Sequence, residues 1–92
     1  MAVSAAYPDP VFDATTPVSF DFTSPCPETV SWKIVTVAHR VLAQGHRNVL
    51  GVRTLAWDQR DLKGRLVSDG LVYLVVAETG FPDQVEKILL LR

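Results

Sequence analysis

The stretch Val30-Ser31-Trp32-Lys33-Ile34-Val35-Thr36-Val37 decides how this chain is read. Val30, Trp32 and Ile34 alternate with Ser31, Lys33 and Val35, and a period of two sends alternate side chains to opposite faces of a strand. A strand with one buried face is predicted here. Ala38, His39 and Arg40 interrupt the run and Val41 to Ala43 resume it, which predicts a tight turn followed by a short partner strand.

Downstream, Gly45 to Gly51 reads as a loop. Val52 to Trp57 alternates again, with Leu55 and Trp57 on one face, and ends in the polar stretch Asp58 to Gly64, which has turn composition. Ser68, Asp69 and Gly70 mark a second turn. The valine-rich run Leu71 to Ala77 is bounded by turn residues, as expected of a central strand covered on both faces. Gly80, Phe81, Pro82 and Asp83 read as a loop, and Val85 to Leu91 as the last strand. Helix is the competing reading for Val35 to Gln44 and Gln84 to Arg92, since Leu, Glu and Lys favour it. Both segments are short and lie among strands that need edge partners.

Upstream, the first 29 residues hold five of the six prolines, Pro8, Pro10, Pro17, Pro25 and Pro27. Proline is excluded from helix interiors and from central strand positions. This part therefore reads as extended segment and loop with one short strand, Val18 to Phe22. The expected architecture is all-β: an immunoglobulin-like antiparallel β-sandwich of six to seven strands over residues 17–92, preceded by an extended segment, residues 1–16.

Composition sets the outer bounds. With 92 residues, 48% hydrophobic and 21% charged, the chain suffices for one core and not for two. Nine basic against ten acidic side chains leave a net charge of −1, too little to hold a nucleic-acid backbone by counterion release. The single cysteine, Cys26, allows no intrachain disulfide and no cysteine-rich metal site, and reads as an unreactive loop residue. Met1 to Ala6 lacks the basic and apolar regions of an export signal, and no apolar run reaches the roughly 18 residues of a membrane span. A module working outside the cell would then be a piece of a longer chain.

The order of these signals is recognisable. Thr29 to Leu42, then LAWDQRDLKGRLVSDGLVYLVVAETG, then VEKILLLR, resembles the FlgD-type immunoglobulin-like domain. The opening AAYPDPVF resembles the Tyr-Pro-Asn-Pro start of related C-terminal modules. The most specific part is Trp57-Asp58 followed by Asp61, Gly64, Val67 and Gly70. Asp9 stands where that family has Asn, Thr36 where it has Asp, His39 and Gln59 where it has Gly, and Val72 where it has Tyr. The resemblance implies a C-terminal module of a secreted bacterial protein, near the type IX secretion sorting domains, or a part resembling the flagellar hook-capping protein.

Scaffold duties account for the motif residues. Trp57 closes one end of the core, with Trp32 and Tyr73 also facing inward. Asp58 suits an Asx turn, and Gly64 and Gly70 supply positive φ. Asp58 and Asp61 would make a poor calcium site, because Arg60, Lys63 and Arg65 oppose a cation. His39 and His46 lie in a turn and a loop with no nucleophile pattern beside them. No enzyme activity, cofactor or metal is expected. Trp32, Trp57, Tyr73 and Phe20 are the alternative aromatic platform of a carbohydrate-binding module, but their alternation with polar residues favours the core.

The expected function is therefore a non-catalytic accessory module at the extracellular side or cell surface, aiding export, anchoring or assembly. The alternatives are a self-assembling cap subunit and a carbohydrate-binding module. Partners would be a protein, a neighbouring domain or another copy, met through sheet edges. Val85, Lys87, Leu89 and Leu91 on the last strand are the candidate contacts. Leu89, Leu90 and Leu91 are expected to be covered on both faces. Tyr7, Pro8 and Pro10 either staple the N-terminal segment to the sandwich or form a recognition segment.

Overall fold

The computed structural model describes residues 2–78 and 82–92. Among these the strands are β1 (Ala2–Val3), β2 (Val18–Thr36), β3 (Val41–Trp57), β4 (Gly70–Ala77) and β5 (Gln84–Leu90), with no helix. Every strand pairing is antiparallel. The order along the sheet is β1-β2-β4-β5, and β3 pairs with the other side of β2.

Five strands stand where six to seven were expected, because β2 and β3 run on through places that read as breaks. Val18–Phe22 and Val30–Val37 were expected as separate strands, yet Pro25 and Pro27 lie inside β2. The pairing passes from Ser24↔Gly51 to Glu28↔Val49, so three residues of β2 stand opposite Leu50 alone. Proline is admitted at such a bulge because the ladder asks for no N–H there. Across it Gly51 has φ 69°, a left-handed turn that glycine enters without strain. The expected loop Gly45 to Gly51 is likewise strand. Gly45 pairs with Trp32, and a Cβ there would come within 3.0 Å of the indole, so glycine leaves room for the ring to lie across the strand. Val35 to Gln44 and Gln84 to Arg92 contain no helix, and the expected turn at Gly80 and Phe81 lies outside the described residues.

The sheet curls around one core. Phe20 and Phe22 from the first half of β2 cluster with Ile34, Leu74, Ile88 and Leu90, all fully buried. Each such side chain contributes about 1.5–3 kcal/mol on burial. A second register shift lies between Ile34 and Val35. It skips Leu42 on β3, and Ile34, Val35 and Leu42 are all buried as a result.

Two expected coverings do not occur. On β4, Val72, Leu74 and Val76 are buried while Leu71, Tyr73 and Val75 are only half-buried, so its outer face is not closed by a second layer. Of the three C-terminal leucines Leu90 is buried, whereas Leu89 and Leu91 are 37% and 48% exposed. Period-two geometry compels this, since consecutive residues of a strand cannot share one buried face.

The N-terminal segment lies against the sheet. Ser4 and Tyr7 N–H donate to Asp21 and Ser19 carbonyls along β2, and Val11 then crosses to β5. Val11 N–H donates to Leu89 O and Val11 O accepts Leu91 N–H, both at 2.8 Å, in a parallel bridge. Ala6 and Val11 are buried in the core. The Tyr7–Pro8 and Asp9–Pro10 peptides are cis.

Candidate functional site

The turn after β3 is built around Trp57. Its indole Nε1 donates to Arg60 O at 3.1 Å, and Asp58 Oδ1 accepts Arg60 N–H at 3.0 Å in an Asx turn. Asp61 Oδ1 accepts the N–H groups of Lys63 and Arg65, both at 2.9 Å, and Gly64 turns the loop with φ 78°. The Arg65 N–H holds the Asp61 carboxyl below its usual range, with help from the Lys63 N–H and the charges of Arg65 and Arg40. Gly70, at φ 141°, leads into β4. Trp57, Asp58, Asp61 and Gly64 thus meet in one turn, while Trp32 and Tyr73 lie elsewhere on the sheet.

Gln59, which the sequence marked only as a substituted turn glycine, is fully buried with φ 65°. Its Nε2 donates to Asp13 O and Thr16 O, each at 2.7 Å, and its Oε1 accepts Arg92 Nη1 at 2.7 Å. Arg92 also donates to Val67 O and pairs with Asp69 at 3.0 Å. One side chain therefore ties residues 13–16, the post-β3 turn and Arg92, two residues beyond the last strand, together. His39, the other residue standing where the resemblance expects glycine, has φ 66° and is exposed.

Tyr7 is held by chemistry. Its hydroxyl donates to Asp21 Oδ1 at 2.7 Å, and Thr54 Oγ1 donates to the same oxygen at 2.8 Å. The Tyr7 bond is the main cause of the lowered Asp21 carboxyl, and Asp21 in turn raises the Tyr7 phenol. Pro8 is exposed and Pro10 half-buried beside it.

The two outer edges of the sheet differ. On β3 the carbonyls of Val52 and Thr54 accept from Arg53 and Arg47, so charged side chains cover that edge. On β5, Val11 and the Asp9 carboxylate, which accepts Leu89 N–H at 3.1 Å, occupy the far end. From Val85 to Lys87 no described segment pairs with that side. There Val85 is 55% exposed, Lys87 is exposed, and the half-buried Tyr73 and Val75 continue the surface onto β4. Of the candidate contacts, Val85, Lys87 and Leu89 share one face, and Leu91 follows just beyond the strand.

The aromatic residues divide between the two faces: Tyr73, expected to face inward, is half-buried on the outer face of β4. Phe20 and Trp57 are buried, and Trp32 is half-buried over Gly45 and packed on the core. His46 Nδ1 lies 3.0 Å from Ser31 Oγ across the β2–β3 ladder, a pair that sequence reasoning missed. Ser31 has strand partners on both sides, so its own backbone is committed to two ladders and offers no oxyanion donor. Among the described residues no group of three or more His, Cys, Asp or Glu is arranged to hold a metal. Cys26 is exposed at the β2 bulge.

The geometry defines the class: an all-β, antiparallel module with one core, a charged edge and an open one. No family model matches the chain, and no curated protein does. Among solved structures it is similar to PorZ, an essential bacterial surface component of the type-IX secretion system of Porphyromonas gingivalis. The TM-score is 0.74 at 19% identity, over 99% of this chain and 12% of that one. The likeness is one of fold, and this chain spans only a small share of the length of that protein.

Proposed function

We propose that this chain is a non-catalytic accessory module of a secreted or cell-surface bacterial protein, related to the FlgD-type immunoglobulin-like domains, that aids export, anchoring or assembly. The observation that carries the reading is the fold likeness: nearly the whole chain corresponds to 12% of a bacterial surface component of a secretion system. This is how a module carried on a larger surface protein would match. The turn geometry supports the finer assignment, since His39 and Gln59 are left-handed at the positions where that family places glycine. Counted by segments on either side of the bulge, β2 and β3 each supply two runs, which accords with an immunoglobulin-like arrangement.

The module works by contact and not by chemistry. Its open edge at Val85–Lys87 accepts a strand or neighbouring domain, and Val85 and Leu89 supply the apolar surface. Fusion of the chain to the C-terminus of a periplasmic reporter, in a bacterium with a type IX system, tests the reading. Surface appearance of the reporter that depends on the module is the expected result, and a reporter equally periplasmic with or without it counts against the export role.

Self-assembly, as in a cap subunit, is the second reading, and the same open edge favours it. Light scattering after size exclusion separates the two, because a monomer at high concentration is incompatible with a self-assembling cap.

A further inference from the structure

The β2–β3 turn and the loop after Trp57 face each other across a cleft of about 440 Å3. Arg40 reaches into it from the turn and Arg65 from the loop. Each guanidinium stands 3.6 Å from the same oxygen, Asp61 Oδ2. This is an ion-pair distance, beyond the roughly 2.7–3.2 Å of an N–H···O hydrogen bond. Among the described residues neither guanidinium has a hydrogen-bond partner. Asp61 is meanwhile well supplied, since its other oxygen accepts two backbone N–H groups. One oxygen of the carboxylate thus holds two backbone donors, while the other is shared at ion-pair distance by two guanidiniums that hydrogen-bond no described group.

The charges in the cleft do not cancel. Asp69, the other acid on its wall, is paired with Arg92 at 3.0 Å. Arg40 and Arg65 against Asp61 leave one positive charge. The two arginine side chains are 63% and 65% exposed, so they are open to a partner, whereas Asp61 is 11% exposed. Leu42, Leu66 and Leu71 line the same cleft and give it an apolar floor.

The geometry points to an acceptor site for one carboxylate of a partner protein, an Asp or Glu side chain beside an apolar residue, bridging Arg40 and Arg65. A carboxylate matches the planar fork of arginine with paired hydrogen bonds. Its single charge also neutralises the cleft, whereas a phosphate dianion would overshoot and be repelled by Asp61. The site lies apart from the β5 edge and does not depend on an export role.

The test uses the isotope-labelled chain and N-acetylglutamate N-methylamide, titrated at constant ionic strength while the Arg Nε–Hε resonances are followed by NMR. Arg40 and Arg65 are expected to shift and saturate with a Kd on the order of 1–10 mM, as suits one solvent-exposed bridged anion. Arg40→Ala and Arg65→Ala each weaken binding at least about fivefold, the loss of one charge-assisted pair. Asp61→Asn keeps the oxygen that accepts the loop N–H groups and removes the competing charge, so it tightens binding. Shifts no larger than those given by the neutral glutamine analogue overturn the proposal. Weaker binding by a folded Asp61→Asn variant also overturns it, as does tighter binding of inorganic phosphate than of the glutamate compound.

Discussion

Arg92 Nη1 donates to the buried Oε1 of Gln59 at 2.7 Å, joining the segment just beyond the last strand to a turn residue held in the left-handed region. The bond accounts for a backbone conformation that costs a non-glycine residue free energy. Glutamine is kept there by three long-range partners and not by the turn itself.

Gln59→Ala is therefore expected to destabilise the fold by about 2–4 kcal/mol, because it leaves Asp13 O and Thr16 O without their side-chain partner and takes one acceptor from the buried Arg92 guanidinium, which keeps Val67 O and Asp69. Gln59→Gly loses the same bonds but relieves the backbone, so it should be milder by about 0.5–1 kcal/mol. Urea unfolding midpoints of the two variants check the order. Equal or reversed midpoints would show that the backbone at residue 59 carries no strain.

His39 shares the conformation without the compensation, being exposed at φ 66° in the hairpin turn. His39→Gly should raise the melting temperature by about 2–4 °C, a gain of roughly 0.5 kcal/mol in a domain of this size. His39→Val, β-branched at positive φ, should lower stability by more than about 1 kcal/mol. Thermal melts followed by circular dichroism decide both.

Tyr7 and Asp21 make stability depend on pH at both ends. The Asp21 carboxyl lies below its ordinary 3.8 in the folded state, so its contribution is complete above that value and fades as pH falls through the lower folded one. The Tyr7 phenol lies above its ordinary 10.0, so its contribution is complete below that value and fades as pH rises through the folded one. Tyr7→Phe removes the alkaline loss and flattens the acid one, leaving the Thr54 bond to hold Asp21. Urea midpoints across the pH range measure this, and an alkaline limb unchanged by Tyr7→Phe contradicts it.

At the open edge, Val85→Lys should alter folding stability by less than about 0.5 kcal/mol, since Val85 is 55% exposed and its strand pairs with β4 through the backbone. The same substitution places a second charge beside Lys87 and should abolish display of the fused reporter. A folded variant displayed as well as the parent chain places the contact elsewhere.

The strands around Trp32 and Leu55 were legible because burial of one face leaves a period of two in the residues themselves, whereas those around Leu74 and Ile88 were placed from apolar runs between turn residues, which hid which face is buried. The length of β2 and β3 was not. Pro25, Pro27, Gly45 and Gly51 read locally as breaks, and only the partner across the ladder shows that a bulge or an overlying indole absorbs them. At the turn after Trp57, Asp58 and Gly64 could be placed from residue type. Gln59 could not, because its partners at 13, 16 and 92 are remote in sequence. The Arg40–Asp61–Arg65 cluster escaped for the same reason, as Arg40 arrives from a different turn. The covering expected of all three C-terminal leucines failed because the run was treated as a unit where the pleat separates its members.

β2 and β3 pair on both sides of the bulge, so the same two backbones carry the Phe20 end and the Ile34 end of one core. Deuterium uptake should accordingly proceed at one common rate-limiting free energy in both regions, and a load applied at either terminus would meet the entire module as a single mechanical element.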